Sequence, residues 1–138
     1  MRIAVVDGQG GGIGNHLIER LRRELPEEVE ILALGTNATA ALIMLKAGAN
    51  EAASGENAII WNISRVDVVV GTLGIMIPNS MLGEITPRMA EAVASTKAVK
   101  ILLPLLRGNI FLVGQQGEPL PHLIDELVQK VKQLIGPE

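Results

Sequence analysis

Apolar-rich runs at Ile3 to Val6, Val29 to Leu34, Val66 to Val70 and Val99 to Leu105 punctuate the chain. They lack a strict polar alternation, which is the pattern of strands covered on both faces, as in a parallel sheet. Between them the period changes. From Ile13 the apolar residues fall at 13, 17, 18, 21 and 25, with Arg20, Arg22, Arg23 and Glu24 on the other face. Pro26 stops this amphipathic helix. Ala38 to Ala47 is a second helix, capped by Thr36 or Asn37 and ended by Gly48. Glu51 to Ala53 reads as a short strand and Glu56 to Ser64 as a helix, while Val66 to Val70 belongs in the sheet's centre. Thr86-Pro87 opens a further helix over residues 88–95, with Pro at its first position. The last helix, Leu120 to Ile135, has Asp125 and Glu126 early and Lys130 and Lys132 late, as the helix dipole favours. Asn109 to Val113 reads as a final strand. It follows its predecessor too closely for a parallel crossover, so it is expected to be antiparallel or a bent continuation.

Alternating strands and helices joined by right-handed crossovers predict an α/β fold: a doubly wound, mostly parallel, Rossmann-like sheet of five or six strands with the last strand antiparallel or a bent continuation. A length of 138 residues suits one domain spanning residues 1–138. Composition then narrows the chemistry. With no cysteine and only His16 and His122 as imidazoles, structural zinc and thiol chemistry are excluded and no metal site is expected. A formal charge of −3 and a near absence of aromatic rings argue against nucleic acid as a partner. No apolar run is long enough to span a membrane, and the opening Met1 to Val6 leads straight into a strand without a signal-peptide pattern, so a cytoplasmic location is expected. The overall apolar balance and a short edge strand predict a homo-oligomer.

The richest local signal is Asp7-Gly8-Gln9-Gly10-Gly11-Gly12-Ile13-Gly14, with five glycines between Gly8 and Gly14, set between a buried strand and an amphipathic helix. Amides at such a helix N-terminus favour a phosphate, and glycine lets it approach closely. Gly8, Gly10, Gly11, Gly12 and Gly14 are therefore candidate binding residues for a small phosphorylated ligand. No Lys-Ser or Lys-Thr follows the last glycine, so this is not the phosphate loop of the ATPases. Asp7 suits a structural role, accepting amides of its own turn, better than a Mg²⁺ ligand. Asn37 is a candidate for both a helix cap and a ribose contact.

Gly8, Gly12 and Gly14 form G-x-x-x-G-x-G, which resembles the dinucleotide turn of short-chain dehydrogenases. Asp67-Val68-Val69-Val70-Gly71-Thr72-Leu73-Gly74 is similar to that family's D-V-L-V-N-N-A-G segment. The resemblance covers the first half of the chain and implies NAD(P) or another adenine nucleotide as cofactor, with Gly71 and Gly74 near it. That family's Tyr and Lys pair does not carry over, because the chain contains no tyrosine. The acid that would hold a ribose after the second strand is replaced by Gly35-Thr36-Asn37, and no Arg there argues for NADP. Over nearly its whole length, through V-D-G-Q-G-G-G-I-G, G-T-N-A, P-N-S-M-L-G-E-I-T-P and P-L-P-H-L-I-D, the chain resembles a family of small bacterial proteins classed as a domain of unknown function.

The long segment from Gly71 to Glu84 lies where such folds place substrate contacts. It offers Asn79, Ser80 and Glu84; Ser80 has no evident activating histidine and acid. Glu84, in that segment, and His122, in the first turn of the last helix, are the candidate catalytic groups for proton transfer. Trp61 and the methionines read as core or interface. Three functions are consistent with these residues: a nucleotide or dinucleotide binding protein, a small enzyme acting on a phosphorylated metabolite, and a non-catalytic subunit whose glycine turn is structural.

Overall fold

The first strand, β1 (Arg2–Asp7), shows no alternation because helices cover both of its faces. Ile3 and Val5 pack into one apolar layer and Ala4 and Val6 into the other. The structure, a computed structural model, describes residues 1–136. The chain continues through α1 (Gly12–Glu24), β2 (Glu30–Gly35), α2 (Ala38–Lys46), β3 (Glu51–Ser54), α3 (Glu56–Ile63) and β4 (Val68–Thr72). A 3₁₀ turn (Leu73–Met76), α4 (Pro87–Ser95), β5 (Val99–Leu103) and α5 (Leu120–Ile135) complete it.

All five strands are parallel, in the order β3-β2-β1-β4-β5. Ile3 of β1 stands opposite Ile31 of β2 and Val68 of β4, which fixes the register at the sheet's centre. The chain winds outward from β1 to β3 and then crosses back to β4. The strand order therefore reverses between β1 and β4, where open α/β sheets form a crevice at the carboxyl ends of their strands. α1, α2 and α5 cover one face through Leu17, Ile18, Leu21, Met44, Leu127 and Val128. α3, α4 and the 3₁₀ turn cover the other through Ile59, Ile63, Ile75, Met89 and Val93. The doubly wound α/β architecture expected from the element order is the one observed.

The final strand is a correction. No strand forms at Asn109 to Val113, no antiparallel pair exists among the described residues, and the sheet has five strands. β5 stops at Leu103 because Pro104 has no amide to donate to a ladder. The chain then runs without regular structure to α5, with every residue from 107 to 119 exposed. Trp61 is also outside the core: it is 59% exposed, with the Arg65 guanidinium 3.6 Å over its ring. Among the described residues no helix is long and apolar enough to cross a membrane.

Ile18 is wholly buried between α1 and the sheet, whereas Leu134 is 43% exposed on α5. Ile18→Ala is expected to lower the free energy of unfolding by about 2–5 kcal/mol. Leu134→Ala should change it by no more than about 0.5 kcal/mol. Urea unfolding followed by circular dichroism measures both.

Candidate functional site

β1 delivers Asp7 to the carboxyl end of the sheet, and the chain must turn from strand to helix between Gly8 and Gly11. Asp7 organises this turn. Its Oδ1 accepts the Gly8 N–H at 2.8 Å and its Oδ2 accepts the Gly14 N–H at 2.8 Å, so the carboxylate satisfies an amide in the first turn of α1. Burial pushes the Asp7 carboxyl above its ordinary value; the Gly14 and Gly8 amides oppose that shift, and the nearby charge of Glu84 adds to it. Both oxygens point inward, which agrees with the structural role expected from the sequence.

Three glycines of the turn have a packing or backbone cause. A Cβ on Gly8 would lie 2.5 Å from Thr36 Oγ1 and 2.9 Å from Met81 Sδ, and one on Gly14 would meet Asp7 and Met44. Gly11 caps α1 in the left-handed region at φ 71°, against Ala40. Gly10 and Gly12 differ: both are exposed, and a Cβ on either would meet nothing within 4 Å. The amides of Gly10, Gly12 and Ile13 donate to no protein acceptor among the described residues.

The second wall is the end of β2. Asn37 Oδ1 accepts the Ala40 N–H at 2.8 Å and caps α2, while its Nδ2 donates to the Gln9 carbonyl at 3.0 Å. The third is the segment after β4, which folds back on itself through Asn79 N–H to the Ile85 carbonyl at 2.7 Å and Ser80 Oγ to the Gly74 carbonyl at 2.5 Å. It crosses the end of β1 to reach the end of β2. There Glu84 Oε1 accepts from Thr36 Oγ1 at 2.6 Å, from the Gln9 N–H at 2.8 Å and from Asn37 Nδ2 at 2.9 Å. These bonds, the Thr36 hydroxyl foremost, lower the Glu84 pKa from its ordinary 4.5; partial burial acts the other way. Glu84 Oε2 has no protein donor among the described residues.

Backbone strain gathers at the same place. Every described non-glycine residue with positive φ, Gln9 (50°), Asn79 (66°), Met81 (58°) and Leu82 (57°), lies in the glycine turn or in the loop laid over it. Such conformations cost on the order of 1 kcal/mol each and cluster at functional sites.

The structure thus joins Gly8, Gly10, Gly11, Gly12, Gly14, Asn37 and Glu84 into one cluster. It leaves other candidates elsewhere. Gly71 is buried so close to β1 that a Cβ there would lie 2.8 Å from the Val6 carbonyl oxygen, and Gly74 is buried beneath Ser80. Ser80 is engaged with Gly74, and His16 and His122 are exposed with no side-chain hydrogen bond among the described residues. No group of three or more His, Asp or Glu among the described residues is placed to hold a metal ion. Gln9 and Thr36 are members of the cluster that sequence reasoning missed. Thr36 sits in the segment marked for its missing acid, but nothing local links it to Glu84.

The family model described as a domain of unknown function, DUF3842, matches residues 2–136. The chain belongs to the DUF3842 family. This agrees with the whole-chain resemblance carried by its motifs. No curated protein matches this DUF3842 chain in sequence. Among solved structures it is similar to a dodecameric FMN-dependent UbiX-like decarboxylase from Escherichia coli O157:H7, at 14% identity and a TM-score of 0.44, with 100% of this chain and 96% of that one covered.

The direction of the Glu84 shift sets a pH dependence for this DUF3842 protein. Its carboxyl has a lower pKa folded than unfolded, so its stabilising contribution is complete above pH 4.5 and is lost as pH falls through the folded value. Glu84→Gln is expected to melt below the wild type at neutral pH, with the gap closing as the pH drops below 4.5. Thermal melts of both proteins from about pH 3 to about pH 7 check this, and a gap independent of pH would contradict it.

Proposed function

We propose that the protein binds a nucleotide or dinucleotide at the carboxyl ends of β1 and β2, with a phosphate on the amides of Gly10, Gly12 and Ile13. One observation carries the reading: folding accounts for glycine at positions 8, 11 and 14 but not at 10 and 12. A Cβ on Gly10 or Gly12 meets nothing within 4 Å, and neither residue has its φ in the left-handed region. Glycine costs roughly 0.5–1 kcal/mol relative to alanine inside regular structure, so an exposed glycine without a packing cause fits a surface that a ligand approaches closely. The unpartnered amides beside it at the start of α1 supply the chemistry for an anion.

Glu84 supports the sugar side of the same reading. Rossmann-type sites place an acid beyond the second strand to accept a ribose 2′-hydroxyl. Here β2 ends in Gly35-Thr36-Asn37, and Glu84 comes to that point from the loop after β4, held through Oε1 and with no described protein donor on Oε2. Its negative charge suits a hydroxyl and opposes a 2′-phosphate. NAD or another adenine nucleotide with a free ribose is therefore favoured over NADP. A cytoplasmic location, where adenine nucleotides are abundant, goes with this ligand.

The enzyme alternative asks Glu84 or His122 to move a proton on a phosphorylated metabolite. It is the weaker reading, because Glu84 is stabilised as a carboxylate by three donors and His122 stands exposed in α5 with no side-chain partner among the described residues. A purely structural turn would leave the glycines at 10 and 12 without a cause. Self-association into a homo-oligomer is also part of the proposal, supported by the apolar side chains that the chain leaves in water, Phe111 and Val113 above all.

The test is a thermal-shift panel of NAD, NADP, AMP, ATP, FMN and inorganic phosphate against the wild type, Gly12→Asp and Glu84→Gln. A ligand at about a hundred times its dissociation constant stabilises by about 2.7 kcal/mol, a shift of several degrees for a domain of this size. NAD is expected to raise the midpoint more than NADP. Gly12→Asp should abolish the shift with the fold intact by circular dichroism, because its carboxylate would project toward the phosphate position. Glu84→Gln should narrow the difference between NAD and NADP. A folded wild type that no compound shifts at millimolar concentration would end the binding proposal.

A further inference from the structure

β5 is the last strand of the sheet, paired with β4 on one side and open on the other. An open edge presents unpaired amides and carbonyls, which act as a template for another strand. Beside it runs a groove of about 290 Å³ between β5 and α5, lined by the apolar residues 101–104, Leu123 and Leu127 and, along α5, by the polar Glu126, Gln129, Lys130 and Gln133. It is large enough for an aromatic side chain and its neighbour.

The complementary element lies in the same chain. Ile110, Phe111, Leu112 and Val113 are four consecutive apolar residues, exposed by 43%, 87%, 37% and 104%. Phe111 is the one phenylalanine of the protein. No residue from 107 to 113 donates a backbone hydrogen bond to any other described residue. Burying Phe111 and Val113 would stabilise the protein, and in a single chain that stabilisation is forgone. The segment is short, β-prone and unpaired, and it stands away from its own groove although residues 104–108 alone separate it from β5.

We propose that Asn109–Val113 of one copy adds as a strand to the free edge of β5 in a second copy and seats its apolar side chains in the groove between β5 and α5. The exchange is reciprocal, because a one-way contact would leave an open edge at each end and propagate into a filament, whereas a two-fold exchange closes. Two segments of this length, each covering edge and groove, bury roughly 1,000 Å² or more, the area that a specific interface needs. Main-chain pairing would supply affinity and the Phe111 and Val113 side chains the specificity, as in other strand additions. The inference rests on self-association of the chain and names the surfaces that perform it.

The chain has no cysteine, so single thiols can report contacts. Leu112→Cys and Gln133→Cys, purified separately, mixed and oxidised, are expected to give a disulfide-linked pair containing one of each. The double variant should cross-link between chains and not within one. Phe111→Asp, at a residue outside the core, should keep the native circular dichroism and reduce the sedimenting species to monomer. A wild type that sediments as a monomer at micromolar concentration would overturn both self-association and this mode of it. A wild-type oligomer with unchanged assembly in Phe111→Asp and no mixed disulfide would overturn the segment exchange alone. Closure of the disulfide within one chain of the double variant would do the same, by showing that the segment folds onto its own edge.

Discussion

The carboxylate of Asp7 ties the end of β1 to the first turn of α1, because its two oxygens accept the Gly8 and Gly14 amides. The rest of the site hangs from that tie. A buried carboxylate loses its hydration, and two amide bonds only partly offset the loss, so the Asp7 carboxyl stays above its ordinary pKa. In exchange the turn is held closed, with α1 started at a fixed angle to the sheet. The inward direction of Asp7 also decides what the outer face can do: it is left to backbone amides and glycine hydrogens, a surface suited to an anion and without a second carboxylate of its own.

Glu84 performs the corresponding task for the loop after β4. Its Oε1 draws together a backbone amide from the glycine turn, a hydroxyl from the end of β2 and the side-chain amide of the residue that caps α2. The glycine turn, the β2–α2 junction and the loop after β4, distant in the chain, are thereby fixed to one another over the carboxyl ends of β1 and β2. The left-handed conformations of Gln9, Asn79, Met81 and Leu82 oppose this arrangement, and the convergence on Glu84 helps to offset them. Leu82 is 95% exposed at the tip of this loop, so its strained backbone is not compensated by burial of its own side chain.

At the far edge of the sheet a different constraint operates. A further parallel strand would need a crossover, and residues 104–108 are too few to make one; the antiparallel pairing that a hairpin would allow is not formed among the described residues. The chain leaves the sheet at Pro104 and carries its apolar tetrapeptide into water, while β5 keeps an unpaired edge. Two unsatisfied surfaces therefore coexist in one chain, an unpaired strand edge and an exposed apolar segment.

The strands, the helices and their doubly wound arrangement were legible in the sequence, because burial on both faces and helical periodicity are local patterns and handedness leaves few ways to connect them. The inward role of Asp7 was legible for the same reason, since its partners lie in its own turn. Only the tertiary structure could bring Glu84 to Thr36, Asn37 and Gln9, since the hydrogen bonds that join them span the fold and leave no periodic trace. It also separated glycines that look alike in the sequence: Gly8 and Gly14 are forced by the approach of Thr36 and Met44, whereas Gly10 and Gly12 face open space. Asn109 to Val113 was misread as a strand because its residue types favour one. A strand needs an edge to pair with, and among the described residues of this chain the segment pairs with none.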